Sequence, residues 1–184
     1  MGSNKGFALW FTGLPCSGKT SLSEAVGKEL AAAGHPVEHL DGDRIRQHIS
    51  KDLGFSKEDR DTNIRRAAYI ASLLSGNGIV AIASFVSPYR KTRDEARASI
   101  GNFIEVYLRC PLEVCEKRDV KGLYAKARKG ETKNFTGVSD PYEEPLDAEI
   151  TVDTDQMDIP ACREKILVYL EQREFIPLRS IFQR

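Results

Sequence analysis

The stretch Gly13-Leu14-Pro15-Cys16-Ser17-Gly18-Lys19-Thr20 constrains this chain more than any other. It fits the pattern G-x-x-x-x-G-K-[ST] without a mismatch, and its flanks matter as much as the pattern itself. An apolar run of strand length at residues 7–12 leads into it. Residues 19–33, with Leu22, Val26 and Leu30 at helical spacing, lead away from it. Glycine at 13 and 18 permits backbone angles that turn successive N–H groups inward on a single anion. The positive end of the following helix faces the same way. Lys19 places a compact positive charge on the β- and γ-phosphates of a nucleotide, and Thr20 offers a hydroxyl to Mg²⁺. Leu14, Pro15, Cys16 and Ser17 supply the loop amides between, and Ser21 continues the first helical turn.

The rest of the chain alternates in the same way. Residues 37–40 form a second short strand closing on Asp41-Gly42-Asp43, and helical stretches follow at 44–53 and 57–75. Gly76-Asn77-Gly78 stops the second, and the almost wholly apolar 79–85 reads as a strand buried on both faces. A helix at 89–100, a strand at 103–108, a short helix at 112–118, a strand at 150–152 and a closing helix at 160–173 complete the pattern; Cys162, Ile166 and Leu170 share a face of the last. Alternating strands and helices predict an α/β fold, a mostly parallel five-stranded sheet between two helical layers in the three-layer P-loop NTPase arrangement. Residues 119–145 are polar and basic with almost no apolar period, and are read as a mobile, irregular lid inside a single domain spanning 1–184.

Composition narrows the partners. A chain of 184 residues with 27 Lys+Arg against 27 Asp+Glu carries no global field toward nucleic acid or an anionic membrane. No apolar stretch approaches the roughly 20 residues of a membrane span, and no signal peptide is expected. Cys16, Cys110, Cys115 and Cys162 lack C-x-x-C spacing and read as reduced thiols of a cytoplasmic protein. Cys16, inside the loop, is either an inert thiol or a redox sensor. His35, His39 and His48 lack metal-ligand spacing. The opening Met1-Gly2-Ser3-Asn4-Lys5 reads equally as a cloning remnant or as the margin of a domain within a longer chain.

Neither the strand at 79–85 nor that at 103–108 ends in an acid, so the metal-side carboxylate falls to the second strand, at Asp41 and Asp43. In a parallel sheet these face the loop. Asp43 is assigned as the base for an attacking hydroxyl and Asp41 as the Mg²⁺ partner. The alternative is a simple turn in which Asp43 caps the next helix. No N-K-x-D element is present, which disfavours a GTPase.

From Asp41 onward the chain closely resembles the adenylylsulfate kinases. The matching blocks are Leu40-Asp41-Gly42-Asp43 with Arg46; Leu53-Gly54-Phe55-Ser56, then Asp59-Arg60 and Asn63-Ile64-Arg65-Arg66; Ser84-Phe85-Val86-Ser87-Pro88-Tyr89-Arg90; and Asp119 to Tyr124 through Lys133-Asn134-Phe135-Thr136-Gly137 to Asp140-Pro141-Tyr142-Glu143-Glu144-Pro145. Pro15-Cys16, Ser21 and Thr62 depart from the usual pattern without removing a phosphate- or metal-binding group. The resemblance implies transfer of the γ-phosphate of ATP to the 3′-hydroxyl of adenosine 5′-phosphosulfate in sulfate activation. It implies an acceptor site of Asp43, Arg46, Phe55, Arg60, Asn63, Val86, Ser87, Lys121, Gly122, Leu123, Asn134, Phe135 and Thr136. Arginines suit the phosphosulfate oxygens, and Phe55 and Phe135 suit a purine held between rings. Phe55 as a core anchor for its loop, and Arg65 and Arg66 as a solvated face, are the plainer alternatives. Ser87 is read as a substrate contact, some relatives carrying a phosphoserine there, and Arg118 as flanking the ATP adenine or phosphates. A homodimer is implied by similar enzymes, and apolar residues within 175–182 are compatible with packing on a partner or on their own domain. A longer chain that also carries ATP sulfurylase stays open, as do a nucleoside monophosphate kinase and a nucleotide-binding regulator without turnover.

Overall fold

The computed structural model describes residues 6–178. Five strands make one parallel sheet: β1 (Ala8–Thr12), β2 (Val37–Asp41), β3 (Val80–Ser84), β4 (Phe103–Arg109) and β5 (Ile150–Asp153), in the order β2-β3-β1-β4-β5. The helices are α1 (Lys19–Ala32), α2 (Gly42–His48), α3 (Lys57–Gly76), α4 (Arg90–Ile100), α5 (Leu112–Arg118), α6 (Leu123–Arg128) and α7 (Ile159–Gln172). The expected α/β class, parallel sheet and five strands are all present. Because β1 has β3 on one side and β4 on the other, the loop leaving β1 opens at the point where the winding reverses, which is where such sheets bind ligands.

Two cores flank the sheet. On one face Leu22, Val26 and Leu30 of α1, with Ile166 and Leu170 of α7, pack on Phe11, Ile82 and Val106. On the other, α3 presents Ile64, Ala67 and Ala71 and α4 presents Ala96. These small side chains bring both helices close, and Trp10 fills the space between, stacked on Phe85 at 5.3 Å and tilted on Phe103 at 5.7 Å. Phe175 rests on Phe7 at 5.1 Å and Ile176 is buried, so this part of the closing segment packs on its own domain. Residues 179–182 of that expectation, and the opening five, lie outside the described residues.

The sheet ends in two short edges. β2 carries Glu38 to solvent, and β5 has four residues, with the carbonyl of its Thr151 covered by Lys165 Nζ at 2.7 Å.

Two sequence expectations change. α2 begins two residues earlier than its apolar pattern, because the Asp41 carboxylate accepts from the N–H groups of Asp43 and Arg44 at 3.0 and 3.1 Å. Asp41, not Asp43, is therefore the cap. The segment 119–145 is not irregular throughout. Asp119 accepts from Leu123 N and Ala125 N and starts α6, which buries Tyr124 and Ala127 one turn apart. Two buried side chains in a helix of six residues make too short a run for the periodicity to register.

Residues 140–144 are fastened along the segment 87–93. Asp140 accepts from Tyr89 Oη, Glu143 N donates to Pro88 O, and the Arg90 Nε donates to Glu144 O. Arg93, almost fully buried, donates to the carbonyls of Ser87 and Glu143 and lies 2.7 Å from Glu105. Burial raises the Glu105 pKa while Arg93 and Arg97 oppose the shift. Removing one partner of such a pair strands the other charge. Arg93→Ala is expected to cost about 3–5 kcal/mol in chemical denaturation; Arg65→Ala, which breaks an exposed pair with Glu95, should cost less than about 1 kcal/mol.

Candidate active site

Thr12 ends β1, and the chain leaves through Gly13, where a Cβ would stand 2.7 Å from the Leu108 carbonyl oxygen and 2.9 Å from Ser17 Oγ. No side chain fits there. Cys16, at φ +61, and Gly18, at φ +97, take left-handed conformations that bring the loop round to α1. Gly18 is the N-cap of α1 and no side chain caps that helix, so its first N–H groups stay directed at the loop interior. Lys19 curls into the loop, donating from Nζ to the carbonyls of Gly13 at 3.0 Å and Leu14 at 2.7 Å. Burial is the main cause that lowers its pKa to about 8, opposed by neighbouring groups including Cys115, Cys16 and Asp43. Thr20 and Ser21 are exposed at the first turn.

Register fixes the opposite wall. Phe11 of β1, Ser84 of β3 and Asp41 of β2 stand in one row, so Asp41 lies two strand spacings, about 10 Å, across from β1. Asp43, two residues on, is exposed and its Oδ2 accepts from Lys121 Nζ at 2.6 Å. That bond is the first cause raising the Lys121 pKa, and Asp41 and Cys16 act in the same direction. Loop, acids and lid thus meet around one space. Asp41 uses only Oδ1 for capping. The donor set suits magnesium: the ion keeps several waters, takes phosphate oxygens from the nucleotide and needs one or two protein ligands. Among the described residues no three His, Cys, Asp or Glu side chains cluster as a metal cage. A hydroxyl at Thr20 and an uncommitted carboxylate oxygen at Asp41 meet that modest requirement.

Beyond the acids lie the two phenylalanines. Phe55 is 62% exposed, which removes the alternative of a core anchor, and the Arg46 guanidinium sits 4.4 Å over its ring while donating to Gly54 O. Burial, then the neighbouring Arg60, pulls Arg46 below the ordinary arginine pKa, so two cations converge here. Arg60 is nearly buried. It donates from Nε to Phe55 O at 3.1 Å, and from one terminal nitrogen to Thr136 Oγ1 at 2.7 Å and Asp140 Oδ2 at 2.6 Å. Its position is therefore that of a brace between both aromatic loops, a role charge alone did not reveal. Phe135 is half-buried and meets Tyr124 edge-on; Asn134 beside it is exposed at φ +54. Gly122, at φ +64, opens α6 ahead of half-buried Leu123. Asn63 is 4% exposed and its Oδ1 has no protein partner, an orphaned acceptor in the wall behind the acids' helix.

One expectation meets a different geometry. Ser87 is 2% exposed; its hydroxyl accepts from Trp10 Nε1 at 3.1 Å and donates to Thr12 Oγ1 at 3.0 Å. Its proton and one acceptor position are engaged inside the protein, which holds the side chain among buried neighbours. Thr12 passes the chain on to the Val86 carbonyl at 2.8 Å, and it meets the Tyr142 phenol at 2.9 Å. Arg118 spans the ends of β4 and β5, donating to Thr154 O at 2.6 Å, with Cys110 Sγ at 3.6 Å. Arg65 and Arg66 pair with Glu95 and Asp52 on an exposed helix face, the plainer of the two readings. Tyr124, Tyr142 and Asp140 were missed as site-forming residues; the spacing of Tyr124 and Ala127 was the available signal for the first. A cavity of about 490 Å³ also opens on the β4 side of Leu14, between Tyr107, Leu112, Val138 and Tyr142, and neither Asp41 nor Asp43 lines it.

A phosphate-binding turn at the switch point of a 2-3-1-4-5 parallel sheet, with a lysine inside it and two carboxylates across from it, is the architecture of a P-loop phosphotransferase. Residues 5–153 match the adenylylsulphate kinase family. The adenylyl-sulfate kinase of Halothermothrix orenii is 53% identical over 97% of this chain and 96% of its own length, and that of Rippkaea orientalis 51% over 94% and 95%. The structure of the Mycobacterium tuberculosis APS kinase in complex with AMPPNP and APS superposes with a TM-score of 0.86 at 38% identity, covering 91% of this chain and 98% of that one. The chain belongs to the adenylylsulphate kinase family.

The lowered Lys19 pKa has a definite sign. Phosphate oxygens favour the charged ammonium, so above pH 8 nucleotide binding must take up a proton. Affinity for ADP is expected to be level below pH 8 and to fall toward about tenfold per pH unit above it. Calorimetric titration between pH 7 and 9.5 reads this, and Lys19→Arg should flatten the profile; a flat wild-type profile would contradict it.

Proposed function

We infer that this protein transfers the γ-phosphate of ATP to the 3′-hydroxyl of adenosine 5′-phosphosulfate, yielding 3′-phosphoadenosine 5′-phosphosulfate and ADP. The observation that carries this reading is Asp43, set across from the lysine-bearing loop and gripped by Lys121 of the lid. ATP lies with its phosphates in the 13–20 loop, on the amides and Lys19, and Arg118 lies beside it. Mg²⁺, held by Thr20 and on the Asp41 side, neutralises charge on the β- and γ-phosphates when bound.

The chain's own groups do the rest. Phe55 and Phe135 hold the acceptor purine, a stacking contact worth about 1–3 kcal/mol per base. Arg46 supplies charge for the phosphosulfate. Asp43, beside Lys121, accepts the proton as the 3′-oxygen bonds to the γ-phosphorus and the bond to the bridging oxygen of ADP breaks. Lys19 stabilises charge on the transferring group. Residues 119–135 cover both nucleotides and limit transfer to water. Asn63 Oδ1 is available for a donor on the acceptor.

An acceptor screen with ATP and magnesium tests the reading: adenosine 5′-phosphosulfate should be phosphorylated and AMP should not. Preference for AMP would make this a nucleoside monophosphate kinase, and no acceptor-dependent ADP release would make it a regulator. With the sulfated acceptor, Asp43→Asn is expected to lower kcat by about 10²–10⁴-fold, the usual share of a proton-accepting group. Phe135→Ala should raise the acceptor KM by about 5- to 150-fold, from about 1–3 kcal/mol of lost stacking, with little change for ATP; equal effects on both would remove the stacking role.

A further inference from the structure

Tyr124 has no part in the chemistry above, yet it touches both halves of the site. It is 2% exposed, and its hydroxyl donates to the carbonyl of Pro15, in the middle of the phosphate loop, at 3.0 Å. Its ring meets Phe135 edge-on, the centroids 4.9 Å apart at an interplanar angle of 76°. Around it pack Cys110, Cys115, Leu14 and Leu112. Burial holds its phenol well above the ordinary tyrosine pKa, so it remains a proton donor across the working range.

A second contact runs beside the first. Gly137, two residues past Phe135, lies so close to the loop that a Cβ there would stand 3.0 Å from a Leu14 methyl, and its φ of +91 suits glycine. Between the two, Thr136 is held by Arg60, whose Nε also holds the Phe55 carbonyl. Contacts therefore run without a break from Pro15 through Tyr124 and Phe135 to Arg60 and Phe55. A packed chain of this kind moves between discrete arrangements rather than yielding gradually.

We propose that Tyr124 is a positioning residue that couples the donor and acceptor sites: a nucleotide seated in the 13–20 loop fixes the Pro15 carbonyl, that carbonyl fixes the Tyr124 ring, and the ring sets Phe135 against the acceptor purine. The proposal rests on the acceptor reading given above and adds the route by which one substrate prepares the site of the other. Coupling between two binding sites is reciprocal, so the acceptor must tighten ADP by the same factor that ADP tightens the acceptor.

The test uses the full chain with ADP, magnesium and adenosine 5′-phosphosulfate, a combination without a phosphoryl group to transfer, in calorimetric titrations. In the unmodified protein, saturating ADP should lower the acceptor Kd by about fivefold or more, within the usual range of coupling. In Tyr124→Phe, which keeps the ring and loses the bond to Pro15, the two Kd values should agree within about twofold, while each nucleotide still binds alone. Tyr124→Leu removes the edge contact as well and should weaken the acceptor even without ADP; if that variant does not fold, Tyr124→Phe decides. A ratio unchanged in Tyr124→Phe, or no coupling in the unmodified protein, overturns the proposal and leaves the acceptor assignment standing. Absence of acceptor binding in the unmodified protein overturns both.

Discussion

The turn out of β1 is the constraint from which the rest of the site follows. Gly13 must pass against the Leu108 carbonyl with no room for a Cβ, and two further residues, Cys16 and Gly18, must reverse the chain so that α1 starts with its N–H groups aimed back at the loop. Only a strand buried on both faces, anchored by neighbours on either side, can hold such a turn in place. β1 is that strand, every residue of it buried, and the parallel arrangement brings the ends of β2, β3 and β4 to the same edge. The acids then need no loop of their own to face the phosphates. They lie there because β2 ends there.

What the sheet does not supply, the segment after α5 does. Its later part is fixed by Tyr89, Arg90 and Arg93, and its earlier part reaches the site through Lys121. The difference in attachment is physical. The fixed part rests on shielded groups, several of them charged, where a hydrogen bond to a charged group contributes about 1.5–3 kcal/mol. Lys121 and Asp43 are both about two-thirds exposed (65% and 68%), and such a pair is screened by solvent and worth little. A weak contact is useful at a place that substrates must enter and leave.

Most of the fold was legible in the sequence because its signals are local. The loop pattern, the apolar runs and the face of α1 carrying Leu22, Val26 and Leu30 each reside within a few turns of chain. The acids were legible by elimination, since the other candidate strands end without one. The parts that escaped are those decided by partners far along the chain. Ser87 was read as a substrate contact at the end of a strand, but its hydroxyl is engaged by Trp10 and Thr12, at sequence separations of 77 and 75. Arg60 looked like a free cation, and its counter-charge, Asp140, is 80 positions on. Neither periodicity nor charge pattern encodes such distances. The family resemblance located both residues at the site without indicating what each one touches.

The treatment of the sheet's two margins governs how copies of this protein behave toward each other. A parallel sheet leaves an unpaired ladder at each side, and such ladders recruit strands from neighbouring molecules. Here one margin carries a glutamate outward, and the other is only four residues long with a lysine ammonium resting on one of its carbonyls. A second molecule that docked by strand addition would have to displace that ammonium and gain few hydrogen bonds in return. Strand addition at either margin is thereby disfavoured by residues remote from the phosphate loop.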